Sequence, residues 1–375
     1  MEVLVDRCAG LDVHKKTVVA CVRTPGTGRQ KRASEVRTVG TFEHQLIELR
    51  EWLIECGVTS VAMEATGVYW KAVWHVLDED QPFEMLLANP AHIKNVPGRK
   101  TDVNDATWIA QLLECGLLRG SFVPPVEIRE FPEVTRYRRQ LTEERARETQ
   151  RLQKVLEDAS VKLSSVASDV LDVTGRFNDH HAGMVSEIIA HVDYLTAAIA
   201  RLDERVEAMM VPFRAARELL TTIPGIQQRT AEIMLAEIGV DMTRFATPGH
   251  LASWAGVWPG NNESAGKHRS THTRSGDPWL QSALVEAAWA NIRSKNCYLA
   301  VRFWRLAKRR GQQRALIAVA HTLLVIIWHM LSEGTVYTEI GVDYLARNDN
   351  PDRRRRHLVK QLEQLGYQVE LTPAA

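Results

Sequence analysis

The sequence predicts an α/β domain at its N-terminus, then a long helical hairpin, then an all-α domain. Three observations carry this. Between Cys8 and Ala88, short apolar strands alternate with stretches of helical spacing. From Glu133 onward, apolar residues recur every three or four positions over a long polar stretch. Beyond Leu219, glycine-rich turns separate strongly helical segments.

Taken in order, AGLDVHKKTVVACVR reads as a strand, a polar turn and a second strand, with Thr38 to Phe42 as a third strand of a meander. Phe42 to Cys56 has helical spacing, and Val58 to Met63 is an apolar strand that ends at Glu64. Gly67 to Leu77 predicts a helix and Phe83 to Ala88 a strand. Thr101 to Cys115 predicts a helix with Thr101 as its N-cap, stopping before Gly116. Pro124 and Pro125 break the pattern. A helical region then runs from Glu133 to Arg176. In the second arm Val185, Ile188, Val192, Leu195, Ile199, Leu202, Val206 and Met209 repeat as the a/d seam of a coiled coil. The arms are expected to pair as an antiparallel hairpin joined near Gly175 to Gly183, or the seam serves a dimer. The third region carries helices over Leu280 to Arg293 and Ala315 to Leu331. A basic tail follows from Asn348, with Arg353 to Arg356 and a short amphipathic helix. The expected domains are therefore 1–125, 126–215, 216–346 and a tail over 347–375.

A chain of 375 residues with 45% hydrophobic content is long enough to bury more than one core. Its net charge of +1 neither demands nor excludes nucleic acid, but the charge is uneven. Residues 1–125 hold 14 basic and 16 acidic residues, whereas residues 250–330 hold 11 basic and 3 acidic. The C-terminal third is thus the expected phosphate-binding part. Five widely spaced cysteines argue against a disulfide framework or a zinc motif. No secretory pattern is visible at the N-terminus, so a cytoplasmic protein with no membrane partner is expected. Ala315 to Leu331 is nearly all apolar, but it carries His321, Thr322 and His329 and reads as a helix at the centre of a domain. Trp108, Trp254, Trp289 and Trp328 lie on apolar faces and are assigned to packing.

Cutting a phosphodiester with two bound magnesium ions needs several hard carboxylates converging on one point. Asp12 lies in the first strand and Glu64 ends a later one. Asp102 and Asp105, three apart at a helix start, face the same way. Each acid alone reads as an ordinary turn former, solvated residue or first-turn acid. Together they make a ribonuclease-H-like nuclease pattern. His14 shares a strand face with Asp12, and is read as structural. IPGIQQRTAEIMLAEIG, from Ile223 to Gly239, has the form of a helix-hairpin-helix. Its Pro224-Gly225 turn either presents backbone N–H groups to a phosphate or is a simple helical turn. GVWPGNNESAGKHRSTHTRSGDP is rich in small and polar residues and carries Lys267, Arg269 and Arg274. It reads as a loop able to approach DNA closely, or as a plain surface connection.

GLDVHK, VAMEATGVYW and GRKTDVNDA resemble the DEDD motif of the insertion-sequence 110 family of transposases, which includes the Piv-type DNA invertases. The resemblance covers nearly the whole chain, and KTDVNDA is its most specific part. It implies a RuvC-like N-terminal domain whose four acids are Asp12, Glu64, Asp102 and Asp105. These would serve as ligands for magnesium, or manganese in its place, with two ions expected. In bridge-RNA-guided recombinases of this kind a serine needed for strand exchange follows a glutamate, which selects Ser264 after Glu263. Ser270 and Ser275 stay open, because the loop departs from the glycine-richer family pattern after Ala265.

The resemblance further implies double-stranded DNA as substrate, a noncoding guide RNA, and a homodimer or homotetramer. Metals held by the acids would polarise the scissile phosphate while Ser264 attacks, with Lys267, Arg269 and Arg274 balancing charge. A RuvC-like Holliday-junction resolvase acting through metal-activated water is the alternative enzyme. A non-catalytic nucleic-acid scaffold has no need of four converging acids. A sugar-kinase fold lacks its glycine-rich phosphate loops here.

Overall fold

Strand β1 (Cys8–Val13) sits at the centre of the N-terminal sheet because it pairs on both sides. It runs antiparallel to β2 (Thr17–Pro25) and parallel to β4 (Ser60–Glu64). With β3 (Arg32–Gly40) and β5 (Glu84–Ala88) the order is β3-β2-β1-β4-β5. The computed structural model describes residues 3–26, 32–65, 67–95, 105–124, 128–161, 177–258, 262–264, 267–270, 273, 276–294, 297–342, 344 and 351–371. They fall into two units, Met1–Val123 and Pro124–Ala375.

In the first unit the sheet is covered on both faces. Leu11 and Val13 of β1, with Ala20 and Val22 of β2, pack against α1 (Glu43–Glu55) and α2 (Trp70–Asp78). Leu46, Leu49, Trp52 and Leu53 of α1, and Val73, Trp74 and Leu77 of α2, supply the buried stripes. The opposite face carries small residues, Gly10 on β1 and Ala62 on β4, and receives α4 (Asp105–Glu114) through Trp108, Ile109, Leu112 and Leu113. A short α3 (Pro90–Asn95) follows β5 and contributes Ile93 to this side. The third strand is longer, and starts earlier, than the expected Thr38 to Phe42. Its mostly exposed side chains and edge position leave no apolar alternation to read.

The second unit opens with α5 (Phe131–Asp158) and α6 (Asp179–Met210). They pack antiparallel: Asp158 meets His181, Glu144 meets His191 and Arg138 meets Asp203. Leu141, Leu195, Ala198 and Ile199 form their apolar seam. Helix α5 ends at Asp158, and residues 162–176 of the expected helical region lie outside the described residues. Ser160 takes a φ of 64°, and the N–H groups of Ala159, Ser160 and Val161 turn back to the carbonyls of Val155, Glu157 and Leu156. In the second arm burial follows the expected seam at Ile188, Leu195, Ile199 and Val206, and then falls on Met210, with Met209 half-buried.

A single 3-10 turn (Val211–Phe213) leads to α7 (Arg214–Thr221) and α8 (Gln228–Ile238). Next come α9 (Pro248–Trp254), α10 (Pro278–Arg293), α11 (Tyr298–Arg310), α12 (Gln312–Glu333) and α13 (Pro351–Gln364). Helix α12 is long and apolar enough to cross a membrane by length and composition. It packs against α7, α9, α10 and α11, burying Val319, Ala320, Leu323, Leu324 and Ile327. The region is not wholly helical: β6 (Asn262–Ser264) and β7 (Lys267–Ser270) pair antiparallel inside the expected loop. Backbone pairing takes up N–H and C=O groups that polar composition alone left unassigned. Trp108 is buried as expected, but Trp289 is 44% exposed, because the helical face it shares points to solvent.

Candidate functional site

The candidate acids of the first unit are placed by how α4 meets the sheet. Gly10 lets the helix backbone approach β1 directly: a Cβ built there would lie 2.3 Å from the Ala110 nitrogen and 2.4 Å from the Ala106 carbonyl oxygen. Ala106 and Ala110 pack against Cys21 and Val19 of β2 on the same face. Cys8 Sγ faces the Ala110 carbonyl at 3.6 Å, and Leu4 N–H reaches the Glu114 carbonyl at 2.8 Å. Helix α4 therefore runs antiparallel to β1, with Asp105 at the end of the sheet where Asp12 lies.

Register brings in the next acid. Gly10 pairs with Ala62 and Leu11 with Met63, so Asp12 and Glu64 are the next neighbours along these parallel strands. Residues two apart on a strand share a face, so both acids belong to the face that α4 covers. Glu64 sits at the last position of β4, where its backbone pairs with Ala88. Asp105 stands in the first turn of α4, where the helix dipole favours a carboxylate. The structure thus brings Asp12, Glu64 and Asp105 to one edge of one sheet face. Among the described residues no three His, Cys, Asp or Glu side chains converge closely enough to hold a metal ion. Asp102 and the expected N-cap Thr101 lie outside the described residues.

His14, set aside as structural, has its Nε2 3.2 Å from Asp12 Oδ2, with Asp12 one-fifth exposed. Glu114 is a charged residue that sequence reasoning missed. It is 4% exposed, accepts a hydrogen bond at 2.8 Å from Arg23 Nε and also pairs with Arg32 Nε. This ties the far end of α4 to β2 and β3. The available signal was an acid inside the apolar run WIAQLLECG. Burial beside Glu114 pushes the Cys8 thiol up to about 12, so Cys8 is an inert packing residue.

In the second unit, Ser264 ends β6 and its backbone stands opposite Lys267 of β7. The alternative Ser270 stands opposite Asn262. Arg269 is the third residue of β7. Arg274 and Ser275 lie outside the described residues. Gly225 lies in the turn between α7 and α8 with φ +81°. This turn is packed against α10: a Cβ at Gly225 would lie 2.8 Å from both the Ala287 oxygen and the Asn291 nitrogen. At the start of α8 a cavity of about 700 Å³ is lined by Asp203, Glu207, Gln228, Arg229 and Glu232, among others. Its cations are already paired. Arg138 meets Asp203 at 3.0 Å and Glu232 at 2.8 Å, and Arg229 meets Asp203. Such a cavity repels an added phosphate more than it attracts one.

Comparison with known proteins gives a family for both units. Residues 9–161 match the model of the DEDD transposase domain of IS110, and residues 217–305 match that of the transposase IS116/IS110/IS902 family. Over 350 residues the chain is 24% identical to the transposase for insertion sequence element IS1111A of Coxiella burnetii, covering 88% of this chain and 90% of that protein. It is 26% identical over 355 residues to the pilin gene-inverting protein of Moraxella lacunata, covering 86% of this chain and 95% of that protein. A 28% identity with the IS110 43.6 kDa protein of Streptomyces coelicolor spans 153 residues, 39% of this chain and 38% of that protein.

Proposed function

We propose, for a chain that belongs to the IS110 family of transposases and is a DNA transposase, that strand exchange proceeds through Ser264 at a phosphate activated beside Asp12, Glu64, Asp102 and Asp105. The observation that carries this reading is the placement of Asp12 and Glu64 on neighbouring parallel strands, under the first turn of α4 where Asp105 stands. Carboxylate oxygens are hard donors, so this set suits magnesium, or manganese, rather than a soft metal. Two ions bound there would polarise the scissile phosphate and stabilise the charge on its oxygens. His14, at 3.2 Å from Asp12, would orient that carboxylate.

The Ser264 oxygen attacks phosphorus, forming a phosphoserine ester. The bond to the 3′ oxygen breaks, and that oxygen leaves as a hydroxyl, with the serine proton the net proton transferred. A 3′ hydroxyl of the exchanged strand reverses the step and frees the serine. Lys267, Arg269 and Arg274 balance the charge at the phosphate. The backbone pairing of Ser264 with Lys267, which makes the two residues neighbours in the hairpin, supports this reading. The antiparallel α5–α6 pair is read as a coiled-coil arm for a dimer or tetramer. The α7–α8 turn at Gly225 is read as a helix-hairpin-helix that borders the DNA backbone. The resemblance to bridge-RNA-guided recombinases extends the reading to a noncoding guide RNA. The names of the relatives include both transposition and gene inversion, and this chemistry serves either outcome.

The test is recombination of plasmids carrying the element ends and flanking noncoding DNA, with wild type, Asp12→Ala, Asp105→Ala and Ser264→Ala compared. All three variants should lose exchange, and wild type alone should yield DNA linked covalently to protein. If Ser264→Ala still recombines, the serine assignment is wrong. If it fails to recombine while nicking continues without a covalent link, a hydrolytic RuvC-like reaction takes its place.

A further inference from the structure

Between Glu286 and Glu333 the chain has no acidic residue and eight lysines and arginines. This stretch spans the end of α10, all of α11 and nearly all of α12. Two tryptophans break the rule that large aromatics are buried: Trp289 on α10 is 44% exposed and Trp304 on α11 is 52% exposed. Both rest on Phe303, which is 1% exposed. The ring centroids of Trp289 and Phe303 lie 6.1 Å apart, and those of Phe303 and Trp304 5.1 Å apart. The core phenylalanine therefore contacts both indoles, each of which keeps part of its ring open at the surface.

Cations follow these rings at helical spacing. Arg293 lies four residues after Trp289, and Lys308 four after Trp304, so each shares a helix face with its tryptophan. Arg309, Arg310 and Arg314 extend the charge around the α11–α12 corner, and all are exposed. Among the described residues no carboxylate pairs with Arg293, Lys308, Arg309, Arg310 or Arg314.

We infer that this face of α10 and α11 binds an unpaired DNA strand, with bases stacked on Trp289 and Trp304 and phosphates held by Arg293, Lys308 and Arg309. Duplex DNA hides its base faces, so exposed indoles gain from DNA only where strands are open. Exchange of DNA strands opens them. The inference rests on the chain's being a DNA transposase and uses neither Ser264 nor a metal. A second copy of the chain fits worse, since a self-paired patch would set cations against cations.

The experiment measures fluorescence anisotropy of labelled oligothymidine of about 20 nucleotides, its duplex form and oligouridine, with the full chain over a salt series. Trp304→Leu should weaken oligothymidine binding about tenfold, while Trp304→Phe stays within about threefold of wild type. Duplex affinity should not change in either variant. Lys308→Glu should lower the salt dependence of strand binding. Strand binding is measured without a divalent metal and neither Trp304 variant touches the acids or Ser264, which separates this inference from the catalytic reading. It is overturned if Trp304→Leu binds normally, if the Leu and Phe variants fall together, or if strand and duplex weaken alike. Tighter binding of oligouridine than oligothymidine would assign the face to RNA. A Trp304-dependent change in sedimentation without strand binding would assign it to a second copy.

Discussion

Replacing Gly10 with alanine should uncouple the acids without touching any of them. The added Cβ would sit 2.3 Å from the Ala110 nitrogen and 2.4 Å from the Ala106 oxygen, both backbone atoms that cannot rotate away. Ordinary contact is about 3.5 Å, so α4 must retreat from β1 by about 1 Å. Overpacking of this kind costs about 1–3 kcal/mol. Asp105, the residue before Ala106, moves with the helix away from the Asp12 edge. A displacement of about 1 Å in a reacting constellation lowers rate about a hundredfold. Urea unfolding and plasmid recombination would be measured side by side on the Gly10→Ala protein. The expected result is a folded protein of reduced stability with recombination down about a hundredfold. Wild-type stability together with wild-type recombination would refute the argument that α4 positions the acids through direct contact with β1.

Two further outcomes follow from groups outside the acids. Glu114→Gln leaves Arg23 and Arg32, each largely buried, without their carboxylate, and should cost about 3 kcal/mol in urea unfolding; an unchanged midpoint would mean that water replaces the carboxylate. His321 is held below its ordinary pKa by burial and by Arg302, its Nε2 has no hydrogen-bond partner among the described residues, and its ring lies 5.2 Å from Trp258. The unfolded chain takes up this proton as pH falls through about 6.5 and the folded chain resists it, so stability is full above that pH and is lost below it. His321→Phe should therefore lose less stability than wild type between about pH 7 and pH 5, and equal losses in the two proteins would count against this account.

Legibility followed the strength of the pattern. Helices α1, α10 and α12 and strand β4 were readable because one apolar face repeats at a fixed period and ends on a polar or turn residue. Strand β3 was readable only at its end, since an edge strand with exposed side chains has little apolar alternation. The β6–β7 hairpin was hidden in a loop composition, because its pairing is made by backbone groups that residue identity does not encode. Trp289 was misassigned for a related reason: periodicity tells which residues share a helix face, not whether another element covers it.

The residues themselves determined the acid motifs, the glutamate before Ser264 and the acid-free basic stretch, all of which are local facts of composition and order. Only the tertiary structure decided that Asp12 and Glu64 share one face of parallel neighbours and that Gly10 seats α4 beside them. It also decided that Glu114 is buried between two arginines and that Trp289 and Trp304 stand open on Phe303. Contacts between residues far apart in the chain depend on register and on which helix covers which face, and those are settled by packing rather than by any one segment.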